Sequence, residues 1–420
     1  MIVEFTTGNF LSFKEKRTLN FRASGISELP NNIFKSNGYK LVRSGVIYGA
    51  NSSGKSNLIK ALDRMRDIVL DSVKLNDNEK LDYNPFLLST TDSDPTFFEI
   101  EFLIENIKYR YGFEYNMDEI LSEWLFAKEG RKQEVPYFLR TEEGIGVSEV
   151  FEEGIDKEKA TNNNRLFISL VAQLGGDISK SIIAWFRRYN VLSGIDHNDY
   201  TGFTLKMLHK KIEGCEESLG LFQRLKLGFK NIQITESEFD TNTVPQGLSD
   251  KIRKKILNDL EGKTVLSVNT IHDKYDDLGN IIGTASFDKE SQESEGTKKV
   301  IDLSGPIFDT LLLGRILIID EFDAKLHPLI TTQLIKLFNS PKTNPKNAQL
   351  FFATHDTNLL SSNLFRRDQI WFAEKDKKEQ TDIYTLSGIR LPDGSKVRND
   401  SNLEKNYIRG RYGAIPFLTN

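Results

Sequence analysis

Apolar positions alternate from the first residues of the chain. Ile2 and Phe5, Phe10 and Phe13, then Leu19 to Phe21 have the two-residue period of strands. The polar stretch Ser24 to Tyr39 reads as a loop. Val42 to Tyr48 is an apolar run that predicts a buried strand, and it leads directly into a glycine-bearing turn. From Ser56 to Ser72 the period becomes helical, with Leu58, Ala61, Leu62, Met65 and Val69 on one side. Alternation returns from Thr96 to Tyr115 and predicts an antiparallel hairpin turning at Glu105-Asn106. Residues 116–264 read as mostly helical and rich in charge, with polar interruptions at Thr161–Asn164, Ser193–Thr201 and Asp240–Gln246. Val265 to Phe287 predicts a second hairpin with its turn at Asp277–Asn280, and a helix is expected to begin at Glu295. Arg315–Ile319 and Gln349–Ala353 read as strands that are apolar after their first residue, while Gln369–Ala373 and Asp382–Leu386 are strand-like. The pattern predicts an α/β chain in three parts. These are an N-terminal lobe with an antiparallel β subdomain (1–115), an inserted helical lobe (116–264) and a C-terminal lobe (265–420). There is no internal repeat and no sustained heptad.

Composition narrows the chemistry. With 420 residues and 38% hydrophobic content the chain can bury a substantial core. Its formal net charge of −4 gives no general pull toward nucleic acid, although a local basic patch stays open. The single cysteine, Cys215, excludes an internal disulfide and a clustered-cysteine zinc site, and fits a reducing compartment. No apolar run approaches the roughly 20 residues that span a bilayer. The start, MIVEFTTGNF, lacks the basic and apolar regions of a signal peptide. A cytoplasmic location with no membrane partner is the expectation.

Four motifs carry the chemistry. Gly49-Ala50-Asn51-Ser52-Ser53-Gly54-Lys55-Ser56, followed by Asn57, matches G-x-x-x-x-G-K-[ST] at every position. Its glycines let backbone N–H groups curl around phosphate oxygens, and the helix that follows adds its positive end. Lys55 is expected to reach the β- and γ-phosphates of ATP, and the Ser56 hydroxyl to ligate Mg²⁺. Arg315–Glu321 is an apolar strand that ends in two acids. Asp320 is expected to hold Mg²⁺ and Glu321 to orient or deprotonate the attacking water. Ser294-Glu295-Gly296, 26 residues before Asp320, reads like the S-x-G-x signature of ABC-class ATPases, in which Ser294 and Gly296 donate to a γ-phosphate. An ordinary helix cap at Ser294 would look the same locally. A helix start of this kind, too far from its own phosphate loop, serves the nucleotide of a second subunit and implies an ATP-sandwiched dimer. His355 ends the third apolar strand, 35 residues after Asp320, and fits the switch histidine that hydrogen-bonds the γ-phosphate.

In this order the parts resemble a known family. Asn9-Phe10-Leu11-Ser12-Phe13 resembles the N-F-x-S-F opening of SMC/RecF-type ABC ATPases, and Asp320–Leu326 resembles their D-E-V-D-A-x-L run. His327-Pro328 departs from that pattern, which places an aspartate there. The D-E-x-x-x-x-L-H-P form instead resembles the OLD-like abortive-infection ATPases of phage defence. Glu293–Lys298 and the tail Tyr407–Pro416 are similar to that branch too. The resemblance implies an ABC-type head that hydrolyses Mg·ATP, pairs around it as a homodimer or higher oligomer, and controls a separate effector protein. A RecF-like DNA-maintenance ATPase is the alternative, and a transporter subunit fits the N-F-x-S-F opening poorly. No Q-loop glutamine is identifiable, Gln173 being the nearest candidate, and Leu11 stands where the family sometimes has an arginine that contacts nucleotide. The 65 residues after His355 are too few for a Toprim nuclease, so no effector activity is expected within this chain. His197 and His272 read as surface residues, Lys251–Lys255 as a solvated helix face, and Arg409 and Arg411 as packing or docking residues of the tail.

Overall fold

The computed structural model describes residues 1–90, 94–196, 198–238, 249, 252–255, 257, 264–361, 363–391, 394–398 and 400–416. His197, Lys251 and the interruption Asp240–Gln246 lie outside the described residues. The chain forms two compact units: residues 1–195, 310–324 and 328–420, and residues 196–309 with 325–327.

The first unit holds two large sheets. Strands β1 (Ile2–Gly8) and β2 (Arg17–Asn20) precede a small hairpin of β3 (Ile33–Ser36) and β4 (Tyr39–Val42), followed by β5 (Ser44–Tyr48) and helix α1 (Lys55–Asp71). The hairpin β6 (Thr96–Ile104) and β7 (Ile107–Tyr115) turns where Glu105 has a φ of 49°, the left-handed step that a tight two-residue turn uses. Three further strands follow, β8 (Ile120–Glu129), β9 (Val135–Thr141) and β10 (Gly144–Val147). They complete an antiparallel seven-stranded sheet in the order β10-β9-β8-β7-β6-β1-β2. The expected helical lobe therefore does not begin at residue 116: residues 120–147 belong to the β subdomain. The physical reason is a register shift. Glu114 pairs with Ser122 but Tyr115 pairs with Ile120, so Leu121 bulges and the alternation of β8 changes phase. Glu123 disguises the strand further, because it is fully buried and accepts from Phe167 N at 2.6 Å and Ile168 N at 3.1 Å.

Strand β11 (Tyr189–Ser193) opens the second sheet of this unit. The chain then enters the second unit, with helices Asn198–Lys210 and Cys215–Leu225 and the strands β12 (Asn231–Glu238), β13 (Thr264–Tyr275) and β14 (Ile281–Asp288). These strands form an antiparallel sheet with β13 in the centre, so the insertion is mixed, not purely helical. Helix Glu295–Leu313 begins in this unit, where Gly305 lies against Thr204 and a buried Lys289–Asp302 ion pair spans 2.7 Å.

The chain re-enters the first unit through β15 (Ile316–Asp320), helix Pro328–Asn339, β16 (Gln349–Ala353), β17 (Ile370–Lys375) and β18 (Thr381–Thr385). The sheet order is β11-β15-β16-β5-β17-β18, parallel except for β18. Strands buried on both faces need continuous apolar runs, which is why β5, β15 and β16 were readable. One core joins α1 (Leu58, Leu62, Met65) with residues of both sheets, including Ile2, Phe98, Ile318 and Phe351. The observed class, α/β with an antiparallel β subdomain, is the one the sequence predicts.

Arg366, fully buried just before β17, anchors the long loop after β2. Its guanidinium donates to Asp368 at 2.8 and 2.9 Å and to the carbonyls of Glu28 (2.6 Å) and Ile26 (3.2 Å). Replacing Arg366 with Met should destabilise the protein by about 3–5 kcal/mol, because Asp368 is left charged and buried. Urea unfolding of the variant checks this, and a loss below about 1 kcal/mol would contradict it.

Candidate functional site

The parallel register sets the site. Ala353 lies opposite Ile47, Ile319 opposite Phe352, and Ser193 opposite Asp320. The loops leaving β5, β15 and β16 therefore emerge side by side at one edge, the carboxyl edge where open α/β sheets bind ligands. Gly49–Ser56 is brought together with Asp320-Glu321 and His355 although more than 260 residues separate the loop from them in sequence.

After β5 the backbone curls through Ser52 (φ 62°) and Gly54 (φ 105°) into α1, which begins at Lys55. Left-handed steps of this kind turn successive N–H groups inward into an anion-binding nest. Gly54 has no substitute, since a Cβ there would collide with Thr381 Oγ1 and come within 2.9 Å of Ser12 Oγ. Lys55 is 5% exposed, and its ammonium donates to the loop's own carbonyls, Gly49 O at 2.8 Å and Ala50 O at 3.1 Å. Burial lowers its pKa, opposed by the nearby carboxylates of Asp320, Glu321 and Asp323. Asn51 and Ser52 are exposed at the rim, and Ser53 is buried.

Opposite the loop stand the two acids. Asp320 Oδ1 is buried with no hydrogen-bond partner among the described residues, and Ser53 Oγ is in the same condition. Buried oxygens in this state can take a water, an ion or a ligand as their partner. Glu321 has a φ of 51°, a left-handed conformation that costs on the order of 1–3 kcal/mol for a non-glycine residue. Its neighbours hold it there. Gly194 N donates to Asp320 O at 2.7 Å, and Phe322 N donates to Ala353 O at 3.1 Å. A Cβ on Gly194 would collide with the Glu321 carbonyl and come within 2.7 Å of the Asp320 carbonyl oxygen. His355 follows β16, and its pKa is lowered, first by burial and then by Lys55, against the pull of Asp323, Glu321 and Asp320. That lowering favours the neutral imidazole, which can donate one hydrogen bond and accept another.

A second layer supports the loop. Asn9 and Leu11 take positive φ (45° and 50°) and fold N-F-L-S-F into a tight turn that buries Phe10 and Phe13. The turn aims Ser12 at the phosphate loop. Ser12 Oγ accepts from Thr381 Oγ1 at 2.7 Å and from Asn57 Nδ2 at 2.8 Å, and Thr381 Oγ1 also approaches Ser53 O at 2.9 Å. The Asn57 amide is thus committed to supporting the loop, and Leu11 packs on the core.

The tail closes one side of the site. Tyr407 packs against Tyr48 (5.7 Å between ring centroids) and Phe372 (5.3 Å), and Tyr384 donates to Tyr412 O at 2.8 Å. A cleft of about 990 Å³ runs from Gly49–Ser53 and His355 to Ile408, Ile415 and Pro416. Arg409 and Arg411 border this packed segment.

Ser294 and Gly296 belong to the second unit. Ser294 is exposed at the start of helix Glu295–Leu313, and its hydroxyl accepts from Thr297 N at 3.1 Å, so it does cap the helix. A Cβ on Gly296 would come within 2.9 Å of the carbonyl oxygen of Lys325, in the segment after the two acids. His327 is exposed, and Pro328 begins a helix, a position that tolerates its missing N–H.

The sequence profile of the family described as "AAA domain, putative AbiEii toxin, Type IV TA system" matches residues 46–361, from the strand of the phosphate loop past His355. The chain belongs to that family. Nothing matches among curated proteins. Solved structures similar to this AAA-domain chain include the SmcHead bound to the C-winged helix domain of ScpA (12% identity, TM-score 0.48, covering 91% of this chain and 97% of that one). The SMC head domain from Thermotoga maritima is similar at 13% identity and TM-score 0.42 (91% and 98% covered). The recombination mediator protein RecF with ATPrS is similar at 12% identity and TM-score 0.31 (91% and 98% covered). Among the described residues of this family member, no single helix is long and apolar enough to cross a membrane.

Gln173 is not a Q-loop residue. It neighbours Leu70 and Lys74 beyond the far end of α1, roughly 25 Å from Lys55 by helical rise. Gly194 and Thr381 escaped sequence reading. One is a single glycine in a polar stretch and the other a threonine in a strand, and only their neighbours in space mark them. Gly194→Ala should displace Asp320-Glu321 and lower the ATPase kcat by about 10²-fold with ATP affinity retained. Steady-state kinetics beside equilibrium nucleotide binding separates the two quantities; an unchanged kcat would refute the role.

Proposed function

We propose that the chain is an ATP-hydrolysing regulatory ATPase of a bacterial anti-phage (abortive-infection) system, which dimerises around ATP and controls a partner effector. The observation that carries the ATPase reading is the single sheet edge that unites the phosphate loop, the Asp320-Glu321 pair and His355. The nest at Gly49–Gly54 receives the phosphates, and Lys55 exchanges its two carbonyl partners for the β- and γ-phosphate oxygens. Glu321 orients the attacking water and takes its proton, and neutral His355 donates to the γ-phosphate. Asp320, with an unsatisfied buried oxygen, and the Ser56 hydroxyl are hard oxygen donors that fit Mg²⁺, which when bound neutralises phosphate charge. Ser294 and Gly296 complete the site of a second copy. The defence role is supported by the family description, which names a toxin system, and by the D-E-x-x-x-x-L-H-P run and tail.

Lys55→Ala should abolish ATP binding, whereas Glu321→Gln should retain ATP and lower turnover on the order of 10²–10⁴-fold. Nucleotide retention on a desalting column together with phosphate release tests both, and wild-type turnover in Glu321→Gln would overturn the assignment. Ser294→Arg placed in the Glu321→Gln background should bind ATP yet fail to associate upon its addition. Light scattering reads this, and unchanged association would reduce Ser294 to a helix cap. The family description raises a second reading, that the chain is itself the toxic component. Inducing it alone, without neighbouring genes, should leave growth unaffected; growth arrest that Lys55→Ala relieves would favour the second reading.

A further inference from the structure

Glu293, the residue before Ser294, is not the surface charge that its sequence position implies. Its side chain is 7% exposed, and one carboxylate oxygen accepts from the Thr270 hydroxyl and lies 2.9 Å from His272 Nε2. Thr270 is fully buried in β13. The His272 ring, expected at the surface, lies over Phe287 of β14 at 4.3 Å between centroids with 28° between planes. The neighbouring hydroxyl and imidazole hold the carboxylate in one position, at the point where the chain leaves the hairpin for the helix. On the other side of Ser294, Glu295 pairs with Lys298 at 3.0 Å and Lys325 at 2.8 Å, but the Glu295 side chain is 53% exposed, and pairs open to water contribute little. The buried contact is therefore the one that can fix the turn.

We propose that Glu293 is a positioning residue, which locks the Ser294–Gly296 turn to the β13–β14 hairpin and so presents the Ser294 hydroxyl and the helix N–H groups to the nucleotide of a second copy. This rests on the signature role of Ser294 given above. A turn ending on a free hinge would order its donors only upon docking, and association would weaken accordingly.

The test uses the full chain in the Glu321→Gln background. Glu293→Ala should bind a fluorescent ATP analogue as the parent does, but should need about ten-fold more protein for ATP-driven association, the loss of one hydrogen bond to a charged group. Glu293→Gln keeps an acceptor for the Thr270 hydroxyl and should recover most of that loss, whereas Glu293→Leu, of similar volume but without an acceptor, should not, a difference that a merely space-filling role does not explain. If Glu293→Ala does not fold, the paired change Thr270→Val with His272→Phe, which preserves the stack on Phe287, removes the same anchor and should weaken association equally. Normal association in a folded anchor variant overturns the proposal, provided Ser294→Arg blocks association. If Ser294→Arg also associates normally, the signature reading itself fails.

Discussion

Backbone hydrogen bonding along three parallel strands, β15, β16 and β5, decides where the chemistry of the first unit can occur. Parallel pairing aligns carboxyl ends, so an acid pair, a histidine and a phosphate loop that are remote in sequence arrive at one edge. A shift of one residue in either register would turn these side chains to the other face of the sheet. The full burial of Val46, Ile47, Leu317, Ile318, Phe351 and Phe352 is what makes such a shift prohibitive.

Upon that ladder the protein places strain and then contains it. Glu321 is held in a left-handed backbone by hydrogen bonds on both sides, one of them from a residue that only glycine can be. The phosphate loop is handled in the same manner, with Gly54 left-handed and Ser12 and Thr381 bonded beneath it. Both arrangements hold the candidate site in one geometry, which is the condition for electrostatic preorganisation. They also explain the Asn9–Phe13 motif physically. Its two phenylalanines bury the turn, and its serine is the part that reaches the loop.

How much of this could be read from the sequence depends on the kind of signal. Buried parallel strands announce themselves as apolar runs, and the Glu105 and Asp277 turns interrupt clear alternation, so those elements fall within one or two residues of expectation. The strand at 120–129 was hidden because a bulge at Leu121 changes its phase and a buried carboxylate, Glu123, occupies a core position. The candidate site was legible where one contiguous motif carries the chemistry. It was illegible where support comes across space, as with Gly194 beneath Glu321, Thr381 beneath Gly54, and His272 beside Glu293. Nor does any local pattern assign Lys325–His327 to a different unit from Asp320.

The same architecture dictates an order of assembly. Ile2 N donates to the side chain of Gln349, 347 residues later, and β5 gains both sheet neighbours only from β16 and β17. During synthesis the strand that feeds the phosphate loop therefore leaves the ribosome early and waits, unpaired and apolar, through most of translation. Domains with such distant pairings fold slowly and expose sticky edges meanwhile. The packing of Tyr407 on Tyr48 comes later still. Chaperone demand and premature termination should therefore weigh heavily on this protein, since a chain released before β16 has a phosphate loop but no sheet to hold it.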